Sequence, residues 1–158
     1  MSAALVDTNV LVYRHDSRDP AKQERARELL RRGVENQNLI VPHQALVEFV
    51  AATTRPLAGA PPLLTRPEAS DEVEQILSML PVLYPTESLL RIAFRGAVAL
   101  QLSWYDAHLW AYAELHGIPR LLSEDFQDER LYGSVRVENP FHDLGKGGTR
   151  GHRVRKPR

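Results

Sequence analysis

The chain has 158 residues, 43% hydrophobic and 25% charged, enough for one domain that hides roughly 70% of its unfolded surface, which excludes a mostly disordered protein. It contains no cysteine, which excludes a disulfide framework, thiol catalysis and cysteine-ligated zinc or iron–sulfur centres. Its 20 basic and 20 acidic residues cancel, and no apolar run reaches the roughly 18–20 residues that a membrane helix needs.

Residues 3–6 form a short apolar run halted by Asp7-Thr8-Asn9, after which Val10, Leu11 and Val12 resume it. That pattern predicts a buried strand presenting Asp7 at its C-terminal end, followed by a short helix. The strand-like run starts without a basic or apolar leader region, which argues against a secretory signal and for a cytoplasmic protein. Asp19-Pro20 opens a helix with Asp19 as cap, and Ala26, Leu29, Leu30 and Val34 form its inner face. Residues 39–41 read as a second strand stopped by Pro42, and residues 43–53 as a helix with Leu46, Phe49 and Val50 as its apolar stripe.

Residues 55–67 contain Pro56, Pro61, Pro62 and Pro67 and are expected to be loop. Leu57, Leu63 and Leu64 within it either pack on the protein's own core or anchor a partner. Ser70 or Asp71 is expected to cap a helix ending near Leu80, and residues 82–84 to form a third strand. Thr86 precedes the strongest helical pattern, with apolar residues at Leu89, Leu90, Ala93, Phe94, Ala97 and Val98. Residues 105–116 read as a helix closed by Gly117, residues 120–122 as a fourth strand and residues 135–137 as a candidate fifth. Strands separated by helices imply parallel pairing, hence an α/β three-layer sandwich with a central parallel sheet of four to five strands flanked by helices. All acidic residues lie at or before Asp143, so residues 1–145 carry 14 basic against 20 acidic side chains, or −6, and residues 146–158 carry +6. The expected division is a folded domain over 1–143 and a flexible basic tail over 144–158, which either solvates the chain or contacts nucleic acid.

In open α/β sheets the ligand crevice lies at the carboxyl ends of the strands. Asp7 ends the first strand and Asp125 follows the fourth. Asp106 opens its helix on the face shared by Leu109, Trp110 and Ala113, which turns it inward. Glu48 lies on a helix with Ala45, Ala51 and Ala52 beside it, leaving room around the carboxylate. Each acid has an ordinary alternative use, as a cap, an Asx turn or a solvated residue. Gathered together they repel, and burial raises their pKa values unless a cation neutralises them. Such a cluster suits Mg²⁺ or Mn²⁺, hard ions that take oxygen ligands and activate water against a phosphodiester.

Val6-Asp7-Thr8-Asn9, Glu48 within a helix, Tyr105-Asp106-Ala107 opening a later helix and Ser123-Glu124-Asp125-Phe126 after the next strand resemble a PIN domain. The resemblance is closest to the small VapC-type toxins of bacterial toxin–antitoxin systems and spans residues 3–140. By position, Asp7, Glu48, Asp106 and Asp125 match the family's acidic quartet, Asp128 is a further acid, and Thr8, Asn9 and Ser123 match positions that brace the carboxylates. The proline-rich residues 55–67 depart from the pattern.

The resemblance implies a PIN-like fold and a Mg²⁺- or Mn²⁺-dependent endoribonuclease that leaves 5′-phosphate and 3′-hydroxyl ends. It further implies an RNA substrate, a cognate antitoxin protein in the groove, no membrane and a homodimer, to which the apolar helix within residues 89–102 lends surface. The rival class is a catalytically inactive PIN-like module that binds RNA or protein. Asn9, two residues after Asp7, cannot donate a proton as the second acid of a dehalogenase-type phosphatase does. No glycine-rich phosphate loop occurs, and the histidines show no metal-ligand spacing.

Overall fold

The computed structural model describes residues 1–144, so the tail expected over 144–158 lies outside the described residues apart from Leu144. Three-residue strands persist here because both faces of each are buried. In β1 (Ala4–Val6) all three side chains are inaccessible to solvent. β2 (Leu39–Pro42), β3 (Val82–Leu83), β4 (Arg120–Leu122) and β6 (Val135–Glu138) join β1 in parallel, and β5 (Leu131–Tyr132) pairs antiparallel with β6. Alternate side chains serve two cores, as expected of a parallel sheet covered on both faces. Ala4, Val6, Leu39, Val41 and Leu122 face one, while Leu5, Leu121, Val135 and Val137 face the other.

The first core is closed by α1 (Thr8–Tyr13), α2 (Pro20–Asn36), α3 (His43–Thr54) and α4 (Arg66–Met79). The second is closed by α5 (Glu87–Leu100) and α6 (Trp104–Leu115). This is the three-layer sandwich expected from the sequence. Strand order is β3-β2-β1-β4-β6-β5, so the winding reverses between β1 and β4, the switch point where a crevice opens.

One local expectation is corrected, one is extended, and one left open is decided. Five strands of the sheet run parallel, as expected, and a two-residue turn at Gly133-Ser134 adds a sixth among the described residues by folding β5 antiparallel against β6. Gly133 supplies the positive φ of 57° that such a turn favours. The helix expected to start at Ser70 or Asp71 starts at Arg66: the Thr65 hydroxyl accepts from Glu68 N while the Glu68 carboxylate accepts from Thr65 N. Pro67 falls in the first turn, where a missing N–H costs nothing. Leu63 and Leu64 pack against the protein's own first core, and Leu64 N donates to the Thr53 carbonyl at 2.9 Å.

α5 and α6 meet at Gly96, where a Cβ would stand 2.2 Å from the Trp110 ring. The ring cannot yield readily, because Trp110 Nε1 donates to the Tyr132 carbonyl at 2.9 Å. A Gly-to-Ala change in a helix gains about 1 kcal/mol in propensity, whereas overpacking a filled core costs about 1–3 kcal/mol. A Cβ this close puts the clash near the upper end. Gly96→Ala is therefore expected to lower stability by about 1–2 kcal/mol, read as a drop in the urea midpoint at unchanged m-value.

Candidate active site

The end of β1 delivers Asp7 to the switch point, fully buried, where Asp7 N still continues the sheet by donating to the Leu122 carbonyl at 3.0 Å. Asp7 does cap α1: its Oδ1 accepts from Thr8 N at 2.6 Å. Its other oxygen faces across the crevice. Oδ2 accepts from Ser123 Oγ at 2.5 Å and from Asn9 Nδ2 at 3.5 Å. Ser123 is the first residue past β4, and its hydroxyl also accepts from Asp125 N at 3.1 Å. Asn9 Nδ2 reaches Asp125 Oδ2 at 3.3 Å. One amide thus bridges two of the acids.

Thr8 carries the network to α3, its hydroxyl donating to Glu48 Oε2 at 2.8 Å. Gln44, one turn earlier on the same helix, donates to Glu48 Oε1 at 2.9 Å and to the Tyr105 carbonyl at 3.0 Å. That bond ties α3 to the first turn of α6, where Asp106 is half-buried and Ser103 Oγ accepts from its backbone N–H at 3.2 Å. The buried stripe of Leu109, Trp110 and Ala113 fixes the helix face on which Asp106 sits. Asp7, Glu48 and Asp125 thus share one continuous hydrogen-bonded network, and Asp106 adjoins it through the backbone of Tyr105. Asp128 is drawn elsewhere, its Oδ1 accepting from Asn139 N at 2.6 Å.

A family model for the PIN domain matches residues 4–133. The chain belongs to the PIN domain family. Its fold is similar to that of DNA-bound VapBC from Salmonella typhimurium, at 16% identity and a TM-score of 0.64 over 89% of this chain and 99% of that one. Mycobacterium tuberculosis VapC20, a toxin that cleaves the sarcin–ricin loop, is 18% identical with a TM-score of 0.60 over 78% of this chain and 90% of that one. FitAcB from Neisseria gonorrhoeae is 19% identical with a TM-score of 0.60 over 88% and 99%. No curated protein matches the sequence at a significant level.

Around the acids of this PIN domain stand residues that sequence reading missed. Glu124, beside Asp125, accepts from Tyr13 Oη at 2.5 Å and from Lys22 Nζ at 2.9 Å, and Lys22 also lies 4.7 Å from the centroid of the Tyr13 ring. Burial and the Glu124 carboxylate push the Tyr13 hydroxyl far above its ordinary pKa, so it stays a donor. Gln44 was legible only as the residue one helical turn before Glu48; Tyr13 and Lys22 gave no signal short of the fold. His108 points its Nδ1 at the Trp104 carbonyl of its own helix.

Among the described residues no three His, Asp or Glu side chains converge tightly enough to form a finished metal cage. The donor chemistry nonetheless fits a hard cation: the site offers oxygen, and the buried Asn9 Oδ1 has no hydrogen-bond partner. Asn9 cannot be turned the other way round, since its Nδ2 already faces two carboxylates.

Asp125 records the strain of the cluster. The residue as a whole is exposed at the rim, yet partial burial of its carboxyl and then the charges of Asp7, Glu124 and Glu48 raise its pKa from 3.8 to about 7. Asn9 opposes the shift by hydrogen bonding. With the folded pKa above the unfolded one, only the folded chain keeps this proton between pH 3.8 and about 7, so stability falls as pH rises through that window and levels above it. In EDTA, wild type is expected to lose urea resistance across that interval relative to Asp125→Asn. Parallel pH profiles for the two proteins would refute the assignment.

Proposed function

We propose that this PIN domain is a Mg²⁺- or Mn²⁺-dependent endoribonuclease, the toxin of a toxin–antitoxin pair working in the cytoplasm. The observation that carries the reading is the linkage of Asp7, Glu48 and Asp125 across the switch point by Thr8, Asn9 and Ser123. Asp7, Glu48, Asp106 and Asp125 would hold the cation, which when bound supplies neutralising charge and Lewis acidity for attack of water on a phosphodiester. The chain's own contribution is positioning. Ser123 and Thr8 N pin both oxygens of Asp7, Thr8 and Gln44 pin both oxygens of Glu48, and Gln44 fixes the backbone beside Asp106. Donors placed this way lower the reorganisation needed when charge develops on the phosphate.

A second reading, a catalytically silent binding module, draws on one observation: protein donors already satisfy Asp7 and Glu48. The toxin reading draws support from fold neighbours solved as VapBC and FitAcB assemblies. A cognate antitoxin has an apolar groove of about 460 Å³ between α1, α2 and α4, floored by Leu11, Leu30, Val34, Ile76 and Leu80 and edged by Arg14, Arg27 and Arg31. For the homodimer, Leu90, Phe94 and Val98 form an exposed stripe at four-residue spacing on α5, continued by Trp104, whose ring meets Phe94 at 5.3 Å. Among the described residues no helix is long and apolar enough to cross a membrane.

With Mg²⁺ or Mn²⁺ the purified protein is expected to cleave RNA, leaving 5′-phosphate ends, and EDTA to stop it. Asp7→Asn and Asp106→Asn should each lose more than the roughly 10–100-fold typical of losing an outer hydrogen-bond partner of a metal ligand. Full metal-dependent cleavage by both variants would favour the binding module. In sedimentation the wild type should run at twice its 17.9 kDa chain mass. Val98, 77% exposed, tolerates a charge in the monomer, so Val98→Glu should halve that mass while the far-ultraviolet circular dichroism stays that of the folded chain, with the melting temperature losing its dependence on protein concentration.

A further inference from the structure

Two carboxylates leave the end of β4 side by side, Glu124 and Asp125, and only Asp125 joins the hydrogen-bonded network of Asp7 and Glu48. The residues around the pair are fixed. Ser123 N donates to the Glu138 carbonyl at 3.1 Å, and Phe126 is buried with its ring 5.5 Å from that of Tyr132. Asp125 is held more loosely at the exposed rim. Its carboxylate meets Asn9 Nδ2 at 3.3 Å, longer than the roughly 2.7–3.2 Å of an ordinary bond of this kind. Where it points is therefore set largely by the backbone that it shares with Glu124.

Glu124 turns the other way, to α1 and α2. Its Oε1 accepts from Tyr13 Oη at 2.5 Å and its Oε2 from Lys22 Nζ at 2.9 Å, and Lys22 Nζ also donates to Tyr13 Oη at 3.1 Å. The three side chains form a closed ring in which both carboxylate oxygens are taken. The two donors stand on rigid ground. Tyr13 ends α1 with its ring buried 5.0 Å from that of Phe141. Lys22 lies in the first turn of α2, where its backbone N–H donates to the Asp19 cap at 3.1 Å. The Lys22 and Glu124 side chains are only 17% and 14% exposed. An ion pair so sheltered adds little stability over apolar side chains of similar size, because desolvation offsets its attraction. What it does fix is the side of the loop on which Glu124 lies.

We propose that Lys22 and Tyr13 are positioning residues for the candidate cation site: by holding Glu124 against α1 and α2, they set Asp125 as the carboxylate that joins Asp7 and Glu48. The inference rests on the reading of Asp125 as a cation ligand. Losing either donor leaves a sheltered carboxylate partly unpaired, which is costly. The loop relieves that cost by turning Glu124 towards water or towards the acids, and Asp125 shifts with it. Charge alone makes the opposite demand. Lys22 is a cation beside a cluster of acids, so its removal by itself would strengthen the field that attracts a divalent ion. The two effects differ in sign.

The test compares full-length wild type with Lys22→Met and Tyr13→Phe, following Mn²⁺ binding directly by the electron paramagnetic resonance of the free ion. Loss of an outer partner of a metal ligand typically weakens metal binding about 10–100-fold, and a fall of that order is expected for Lys22→Met. Tyr13→Phe changes no charge and keeps the ring against Phe141, so it decides the matter alone should Lys22→Met fail to fold. It too should weaken Mn²⁺ binding. On RNA, both variants should lower kcat at fixed Mn²⁺ and leave KM unchanged. Unchanged or tighter Mn²⁺ binding by the folded variants overturns the proposal. So does a rise in the KM for RNA alone, which would make Lys22 a phosphate contact. If wild type binds Mn²⁺ and cuts no RNA, weaker binding by the variants supports the positioning role and only the ribonuclease reading falls. If wild type binds no Mn²⁺, the cation reading falls and this inference with it.

Discussion

The Ser123 hydroxyl donates to Asp7 Oδ2 at 2.5 Å and accepts from Asp125 N at 3.1 Å, joining the ends of β1 and β4 where the sheet reverses its winding. Around it the acids can stand close without flying apart. A hydrogen bond to a charged group contributes about 1.5–3 kcal/mol, enough to oppose repulsion between neighbouring carboxylates that water partly screens. Asn9 adds a second bridge, and Thr8 extends the bracing to Glu48. The site is thus a set of like charges held by neutral donors drawn from the residues that flank them in sequence.

The rest of the fold serves to bring those donors into register. Pairing of Val6 with Leu122 puts Asp7 and Ser123 side by side as the next residues on each strand. The two cores on either face of the sheet make that register costly to change, since a one-residue slip would exchange the side chains of both. The α5–α6 contact at Gly96 sets how closely those two helices pack, and Trp110 ties the helix that carries Asp106 to the Tyr132 carbonyl of β5.

Much of this was readable beforehand because the polar residues interrupt the apolar runs abruptly. Asp7-Thr8-Asn9 after Val6, and Ser123-Glu124-Asp125 after Leu122, mark strand ends whatever the family. Glu48 stood out less, being one acid on an amphipathic helix, and its place rested on resemblance. Tyr13 and Lys22 could not be read, because their partner Glu124 is 111 and 102 residues away in the chain, and Gln44 shows in the sequence only as a neighbour of Glu48, its bond to the Tyr105 carbonyl spanning 61 residues. β5 has two residues, too few to show any periodicity. The start of α4 was written in the sequence as Thr65 with Glu68 three residues on, but Pro67 between them read as a breaker rather than as a first-turn residue.

The borders of the sheet have a consequence for how the protein meets others. β3 on one side and β5 on the other are two residues long. So short an edge offers too few unpaired backbone groups to recruit a foreign strand. Among the described residues, edge-to-edge strand pairing is thereby disfavoured as a mode of self-association. Under the proposed function, self-association would draw on α5 in the outer layer and catalysis on the loops at the strand ends, so that either could diverge while the other stays fixed.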